Sequence, residues 1–213
     1  DIPPALKDQF IFQAGQNITL KLIHGGEELR RSYSICSSPL DDELRVAVKE
    51  IPEGKFSGLA NRKLQPGDKI EVLPPTGKFG TKADKTSTKK YLAFAAGSGI
   101  TPVISIIKTI LATEPLSEFT LVFGNRDRHN IIFREQLEGL KNKYMSRFAI
   151  HHILSREKTD APVNHGRIDK EKCEQLSKRL IDVNEMDHIF LCGPEEMIFN
   201  IKEWLLSKNI PSN

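Results

Sequence analysis

Residues 18–22, 44–48 and 69–72 alternate, or nearly alternate, apolar and polar side chains. That period of two belongs to strands that bury one face. Turn residues punctuate them at Gly25-Gly26, Pro39, Pro52-Glu53-Gly54, Pro66-Gly67-Asp68 and Pro74-Pro75. Short strands so spaced predict a small antiparallel barrel or sandwich. The stretch 82–90 is polar, has no apolar residue larger than alanine, and predicts a surface connection between domains. From residue 91 the rhythm changes. Residues 91–96 form a short apolar run suited to a strand buried on both faces. Thr101 is placed to cap a helix with Pro102 at its first position, followed by Val103, Ile104, Ile106, Ile107, Ile110 and Leu111 at helical spacing. Strands over 119–123, 147–154 and 188–191 and helices over 131–144, 170–180 and 195–207 complete the series. The pattern predicts two domains: an antiparallel β-barrel over 1–82, a linker over 83–90, and an α/β doubly wound parallel sheet over 91–213.

Composition adds mostly exclusions. The 31 basic and 28 acidic residues leave a net charge of +3, too even for a nucleic-acid partner. No apolar run approaches the ~18 residues of a membrane span, and the N-terminus has no charged and apolar segments of a secretion signal. Cys36, Cys173 and Cys192 are far apart and odd in number, with neither metal-ligand nor disulfide spacing. A cytoplasmic setting without a bound metal is the expectation.

Ligands of open α/β sheets sit beyond the carboxyl ends of the strands, and three features fall there. Ala96-Gly97-Ser98-Gly99-Ile100-Thr101-Pro102 joins the first strand of the second half to its first helix. Its glycines suit either close approach to a phosphate at a helix N-terminus or simply a tight turn. Leu191-Cys192-Gly193-Pro194 with Met197 follows the last strand, where Cys192 is packing or chemistry. Ser155-Arg156 follows the third, either a grip for a phosphate monoester or a pair without a role. In the barrel half, Arg31-Ser32-Tyr33-Ser34 puts a cation and an aromatic ring on one strand face. That is enough to hold a phosphate and stack on a flat heterocycle, or to make an ordinary surface strand.

Taken together, Arg-x-Tyr-Ser, Gly-x-Gly-x-Thr-Pro and Cys-Gly-Pro-x-x-Met, in this order after a barrel, resemble the ferredoxin–NADP reductase superfamily. Tyr33-Ser34-Ile35-Cys36-Ser37-Ser38-Pro39 and Gly124-Asn125-Arg126 are most similar to reductase components of phenylacetyl-CoA oxygenase-type multicomponent oxygenases. The resemblance implies FAD in the barrel, with Arg31 on its pyrophosphate, Tyr33 stacked on the isoalloxazine and Ser34 near flavin N5. Val48, within Ala47-Val48-Lys49, resembles the next flavin-contacting strand. Gly54, Lys55, Phe56 and Ser57 would bring amides and the Ser57 hydroxyl to the pyrophosphate. Gly97, Gly99 and Thr101 would line the nicotinamide side, and Cys192, with Gly193, Pro194 and Met197 behind it, the edge where nicotinamide meets flavin. Tyr33, Ser34, Thr101 and Cys192 are therefore the expected catalytic set. Ser155-Arg156 matches the pair that holds a 2′-phosphate, with Arg126 as a second cation, which favours NADPH over NADH despite the adjoining Glu157.

The reaction so implied needs no nucleophile or general acid, consistent with the absence of a Ser-His-Asp set; His151-His152 read as structural or exposed. Oxygenase reductases of this type carry a plant-type iron–sulfur domain with C-x4-C-x2-C spacing, which these residues lack. The expectation is a flavin and nucleotide portion of a longer protein, delivering electrons to a [2Fe-2S] centre in a further domain or in a ferredoxin, for an oxygenase component. A free-standing NAD(P)H:flavin or ferredoxin reductase is the alternative, with Lys55, Arg62 and Lys63 as docking cations. A non-catalytic flavin- or nucleotide-binding redox module is a third.

Overall fold

A computed structural model of the protein describes residues 2–211. In the first half, β1 (Asn17–His24) pairs antiparallel with β2 (Glu27–Ser34). The turn between them is Gly25-Gly26, both at positive φ, which only glycine adopts without strain. Alternation along β1 buries Ile18, Leu20 and Leu22, as its sequence predicts. Helix α1 (Lys55–Arg62) follows, and β3 (Glu71–Val72) pairs with the other edge of β1. The regular strands of this half therefore form an antiparallel sheet in the order β2-β1-β3.

Two expectations for this half differ from the structure. Residues 44–48 make no regular strand; they touch β2's continuation through the single bridge Ile35–Val46. The ladder stops because the Arg45 amide donates to the Ser37 hydroxyl at 3.0 Å, a side chain taking the place of the next backbone partner. In the expected strand 69–72, only Glu71 and Val72 pair.

The second half is a parallel sheet of β4 (Lys90–Ala96), β5 (Glu118–Asn125), β6 (Phe148–Leu154) and β7 (His188–Cys192), in the order β6-β5-β4-β7. Helices α2 (Ile100–Thr113) and α3 (Arg134–Lys143) pack on one face, α4 (Lys170–Ser177) and α5 (Glu195–Ser207) on the other. Alternate residues of β4 serve the two cores: Tyr91, Ala93 and Ala95 face α2, Leu92 and Phe94 face Trp204 and Ile201 of α5. That double burial explains the unbroken apolar run.

Helix α2 starts one residue before the expected cap. Gly99 is its N-cap, and the Thr101 hydroxyl donates back to the Ser98 carbonyl at 2.9 Å. Helix α3 is shorter than the expected 131–144, because Phe133 sits at φ 60° and bends Ile131-Ile132 onto the core instead of into the helix. Helix α4 ends at Ser177, where the Leu180 and Ile181 amides both turn back to the Leu176 carbonyl. The stretch 83–90 is anchored. Its Asp84 amide donates to the buried Glu114 carboxylate at 3.0 Å and its Lys89 amide to Ser117 Oγ at 2.9 Å, and Ala83 packs on the core.

Candidate active site

Strand order reverses between β4 and β7: from β4 the chain runs outward through β5 and β6, then returns past β4 to add β7 at its other edge. In such sheets the crevice for a ligand opens beyond the carboxyl ends of the strands at that point. A cleft of about 1050 Å³ opens there, walled on one side by the antiparallel half and on the other by the turns after β4, β5, β6 and β7.

The first wall is built by the end of β2 and the start of α1. Arg31, Tyr33 and Ser34 line it, with Gly54, Lys55, Phe56 and Ser57. The Tyr33 and Phe56 rings pack at 5.6 Å between centroids and 38° between planes, and burial raises the phenol's pKa, so Tyr33 stays neutral. Ser32 also reaches the cleft edge while its hydroxyl pairs with Thr19 at 2.9 Å. Helix α1 has no side-chain cap, so its first-turn amides remain open donors at the wall. The Ser57 hydroxyl is already engaged: it accepts from the Ile51 amide at 3.2 Å and donates to the Gly54 carbonyl at 3.3 Å. What it offers the cleft is its amide end of the helix rather than the hydroxyl expected from sequence. Val48 is the one expected site residue outside the lining; Ala47 and Lys49 line the cleft on either side of it. Its carbonyl instead accepts from Asn61 of α1 at 3.1 Å.

The second wall brings together Gly97, Gly99 and Thr101 after β4, Arg126 after β5, Ser155 and Arg156 after β6, and Cys192, Gly193, Pro194 and Met197 after β7. The two glycines of the first turn serve different ends. Gly97 sits at φ 54° with open space where a Cβ would be, so its backbone conformation demands glycine. A Cβ on Gly99 would lie 2.1 Å from the Cys192 carbonyl oxygen; Gly99 lets two loops touch rather than admitting a phosphate. Burial raises the Cys192 thiol pKa, which keeps it protonated and unsuited to nucleophilic work. The Ser155 and Arg156 amides bond the Asn125 and Arg126 carbonyls at 3.0 and 2.8 Å, fixing both strand ends at one rim. Among the described residues Arg126 and Arg156 make no ion pair, leaving two free cations facing the cleft.

Profiles of two domain families cover this architecture: the oxidoreductase FAD-binding domain matches residues 4–80, and the oxidoreductase NAD-binding domain matches residues 94–203. The chain belongs to the ferredoxin reductase family. Members are NAD(P)H-dependent flavin oxidoreductases, and this chain carries both of their domains. It is 44% identical over 210 residues to one component of the 1,2-phenylacetyl-CoA epoxidase of Escherichia coli (strain K12), covering 99% of this chain and 59% of that protein. It is 39% identical over 155 residues to the ferredoxin reductase component of 3-ketosteroid-9-alpha-monooxygenase from Rhodococcus rhodochrous, covering 72% and 43%. The chain thus spans between 43% and 59% of the length of these relatives. Its fold superposes on a ferredoxin NADP+ reductase from Neisseria gonorrhoeae with bound FAD and NADP, at a TM-score of 0.72 and 22% identity, covering 97% and 82% of the two chains.

The side chains of this ferredoxin reductase family member fit both cofactors on physical grounds. The Tyr33–Phe56 pair gives a flat ring system an aromatic surface, and the open amides of α1 with Arg31 and Lys49 suit a pyrophosphate. On the nucleotide side, Asn125 is only 9% exposed, lines the cleft, and its Nδ2 has no hydrogen-bond partner. A buried donor left unpaired costs about 1–3 kcal/mol, so the site is built for an acceptor at that point. Sequence reasoning quoted Asn125 only within a motif and gave it no role. It also missed Asn130, Arg167 and Asn200 in the lining, which stand in loops or on a mixed helix face where no periodic signal exists. Among the described residues no helix is long and apolar enough to cross a membrane, and no three potential metal ligands cluster.

Proposed function

We propose that this chain oxidises NADPH at a bound FAD and passes electrons singly to an iron–sulfur centre, as the reductase of a multicomponent oxygenase. Bound here, the flavin supplies two-electron acceptance from nicotinamide and one-electron release to the acceptor. The chain's residues position and shield. One continuous cleft supports the reading, because Tyr33 and Ser34 line it together with Thr101 and Cys192. Tyr33 would stack on the isoalloxazine, Ser34 would donate at its reacting edge, and Thr101 would accept from the nicotinamide carboxamide with the lone pairs its bond to Ser98 leaves free. Protonated Cys192 and buried Met197 would exclude water at the junction. The flavin portion would be residues 1–82 and the nucleotide portion 91–213, with 83–90 between them.

The preference for NADPH rests on Arg126 and Arg156, two guanidiniums without carboxylate partners beside Ser155. The iron–sulfur acceptor and the oxygenase rest on the relatives. A [2Fe-2S] centre would lie in a further domain or in a ferredoxin, and the chain itself would not meet the oxygenase substrate. Of the cations considered for docking, Lys55 and Arg62 are paired with Glu27 and Glu50, which leaves Lys63 to contribute.

Anaerobic titration tests the proposal. Flavin bands near ~450 nm that bleach much faster with NADPH than with NADH support both parts. Equal bleaching removes the NADPH preference, and a protein that cannot be loaded with FAD removes the enzyme.

A further inference from the structure

A carboxylate stands next in sequence to the proposed 2′-phosphate rim and yet does not face it. Arg126, Ser155 and Arg156 line the cleft; Glu157 and Arg128 do not. Glu157 is held by two bonds from one residue. Its Oε2 accepts from the Arg128 backbone amide at 2.8 Å, and its Oε1 pairs with Arg128 Nε at 2.8 Å. The grip is on a fixed support, because Arg128 opens the 3-10 turn Arg128–Asn130, tied by Asp127. That carboxylate accepts from the His129 and Asn130 amides at 3.0 and 3.1 Å and from Asn130 Nδ2 at 2.9 and 2.8 Å. On the other side, His165 Nδ1 lies 2.9 Å from the Glu157 carbonyl oxygen, steadying the backbone that carries the acid.

We propose that Arg128 is a positioning residue for nucleotide choice: it holds the Glu157 carboxylate outside the cleft, so the Arg126–Arg156 rim stays positive toward a 2′-phosphate. The inference rests on the NADPH preference proposed above. A freed Glu157 has two effects that point the same way. It repels a phosphate dianion at the rim, and it can accept a hydrogen bond from an unphosphorylated ribose 2′-hydroxyl, as acidic residues do in NAD-binding sheets. At a separation of several ångströms near a protein surface, the repulsion alone amounts to about tenfold in affinity. The backbone half of the grip survives any substitution of Arg128 other than proline, because the donor is the main-chain N–H. An alanine there strips the charge and the Nε bond and leaves a single neutral donor, from which a long carboxylate side chain can swing.

The test uses the FAD-loaded chain, with calorimetric titration of 2′-phospho-AMP and of AMP; flavin reduction by NADPH and NADH is a second readout. In the wild type, 2′-phospho-AMP binds more tightly. In Arg128→Ala that preference narrows by about tenfold, mainly through weaker binding of 2′-phospho-AMP. The double variant Arg128→Ala/Glu157→Gln restores the preference to within about twofold, because it removes the charge that Arg128 had been holding. A double variant that stays weak shows that Arg128 acts by its own charge and overturns the inference, as does an unchanged preference in Arg128→Ala. Glu157→Gln alone keeps Arg128 in place and should alter the preference by less than about twofold. A large gain there shows that the carboxylate already faces the phosphate, and this single variant decides the matter even if Arg128→Ala folds poorly. A wild type that binds both nucleotides equally overturns the NADPH reading itself, and the inference with it.

Discussion

Gly99→Ala is expected to separate hydride-transfer geometry from flavin binding. An added Cβ would meet the Cys192 carbonyl oxygen at 2.1 Å, its carbon at 2.5 Å and the Gly193 nitrogen at 2.9 Å. All three are backbone atoms at the end of β7, so no side-chain rotation relieves the clash. Restoring ordinary contact requires the turn after β4 and the end of β7 to part by about 1 Å. Overpacking of this kind costs about 1–3 kcal/mol, which for a chain of this size lowers Tm by roughly 2–12 °C. The kinetic effect should fall at the upper end of the same free-energy range. Thr101 rides on one of the separating segments and Cys192 on the other, and a displacement near 1 Å costs about 10²-fold where a near-attack geometry is needed. Arg31, Tyr33 and the start of α1 stand on the other wall and are untouched, so flavin content should not fall. Stopped-flow decay of flavin absorbance on anaerobic mixing with NADPH reads the rate, and thermal unfolding reads the stability. Gly97→Ala is the contrast. Its Cβ meets no protein atom, and it pays only the left-handed backbone strain of about 1–2 kcal/mol. A Gly99→Ala variant that reduces its flavin within threefold of the wild-type rate would refute the reasoning.

Two further expectations concern buried charge. Glu114 has no solvent exposure, and its carboxylate accepts from Tyr91 Oη at 3.2 and 3.0 Å, Ser117 Oγ at 2.6 Å and the Asp84 amide at 3.0 Å. Glu114→Ala leaves these donors stranded and should cost about 3–5 kcal/mol in urea unfolding; a loss below about 1 kcal/mol would count against the network. Burial, with Lys141 for His151 and Arg134 for His152, lowers both histidine pKa values. The neutral forms are therefore favoured by folding. Their contribution is intact above the unfolded value of about 6.5 and is lost as pH falls toward the folded values. Tm should drop as pH falls below about 6.5, and His152→Asn should flatten part of that slope; an identical slope in the variant would assign it elsewhere.

The parallel half was legible because burial on both faces writes itself into composition. In β4 every residue from Tyr91 to Ala95 is buried, and a strand so placed has no polar position to confuse its period. Helix α1 was not legible. Its eight residues include Gly58 and two basic residues, and what holds it is the burial of Phe56 against Tyr33 from another segment. Such a helix owes its existence to tertiary packing rather than propensity. Residues 44–48 failed for the opposite reason: the alternation is real, but the Ser37 hydroxyl satisfies the amide that a neighbouring strand would have taken. Apart from Val48, the site residues singled out in the sequence all line one cleft, but the sequence does not say what each glycine is there for. Nothing in Gly-x-Gly distinguishes a glycine that needs positive φ from one that lets another loop approach, and only the distances to Cys192 separate Gly99 from Gly97.

The contact between the two halves shows why such distances matter for the chemistry. Ser105 Oγ donates to the Ser37 carbonyl at 2.6 Å, and the Ser38 and Thr109 hydroxyls meet at 2.8 Å, all of them buried. Phe79 packs edge-on against Phe190 beside them. Apolar contact alone is non-directional and tolerates sliding of one sheet over another. Hydrogen bonds from hydroxyls on one face of α2 do not, because each loses its geometry within a few tenths of an ångström. The segment 35–38 that receives them continues directly from Tyr33 and Ser34, and α2 that supplies them continues directly from Gly99 and Thr101. The same two stretches of chain therefore form both walls of the cleft and the joint between the halves. The separation of those residues across the cleft is fixed only a few residues further along each stretch.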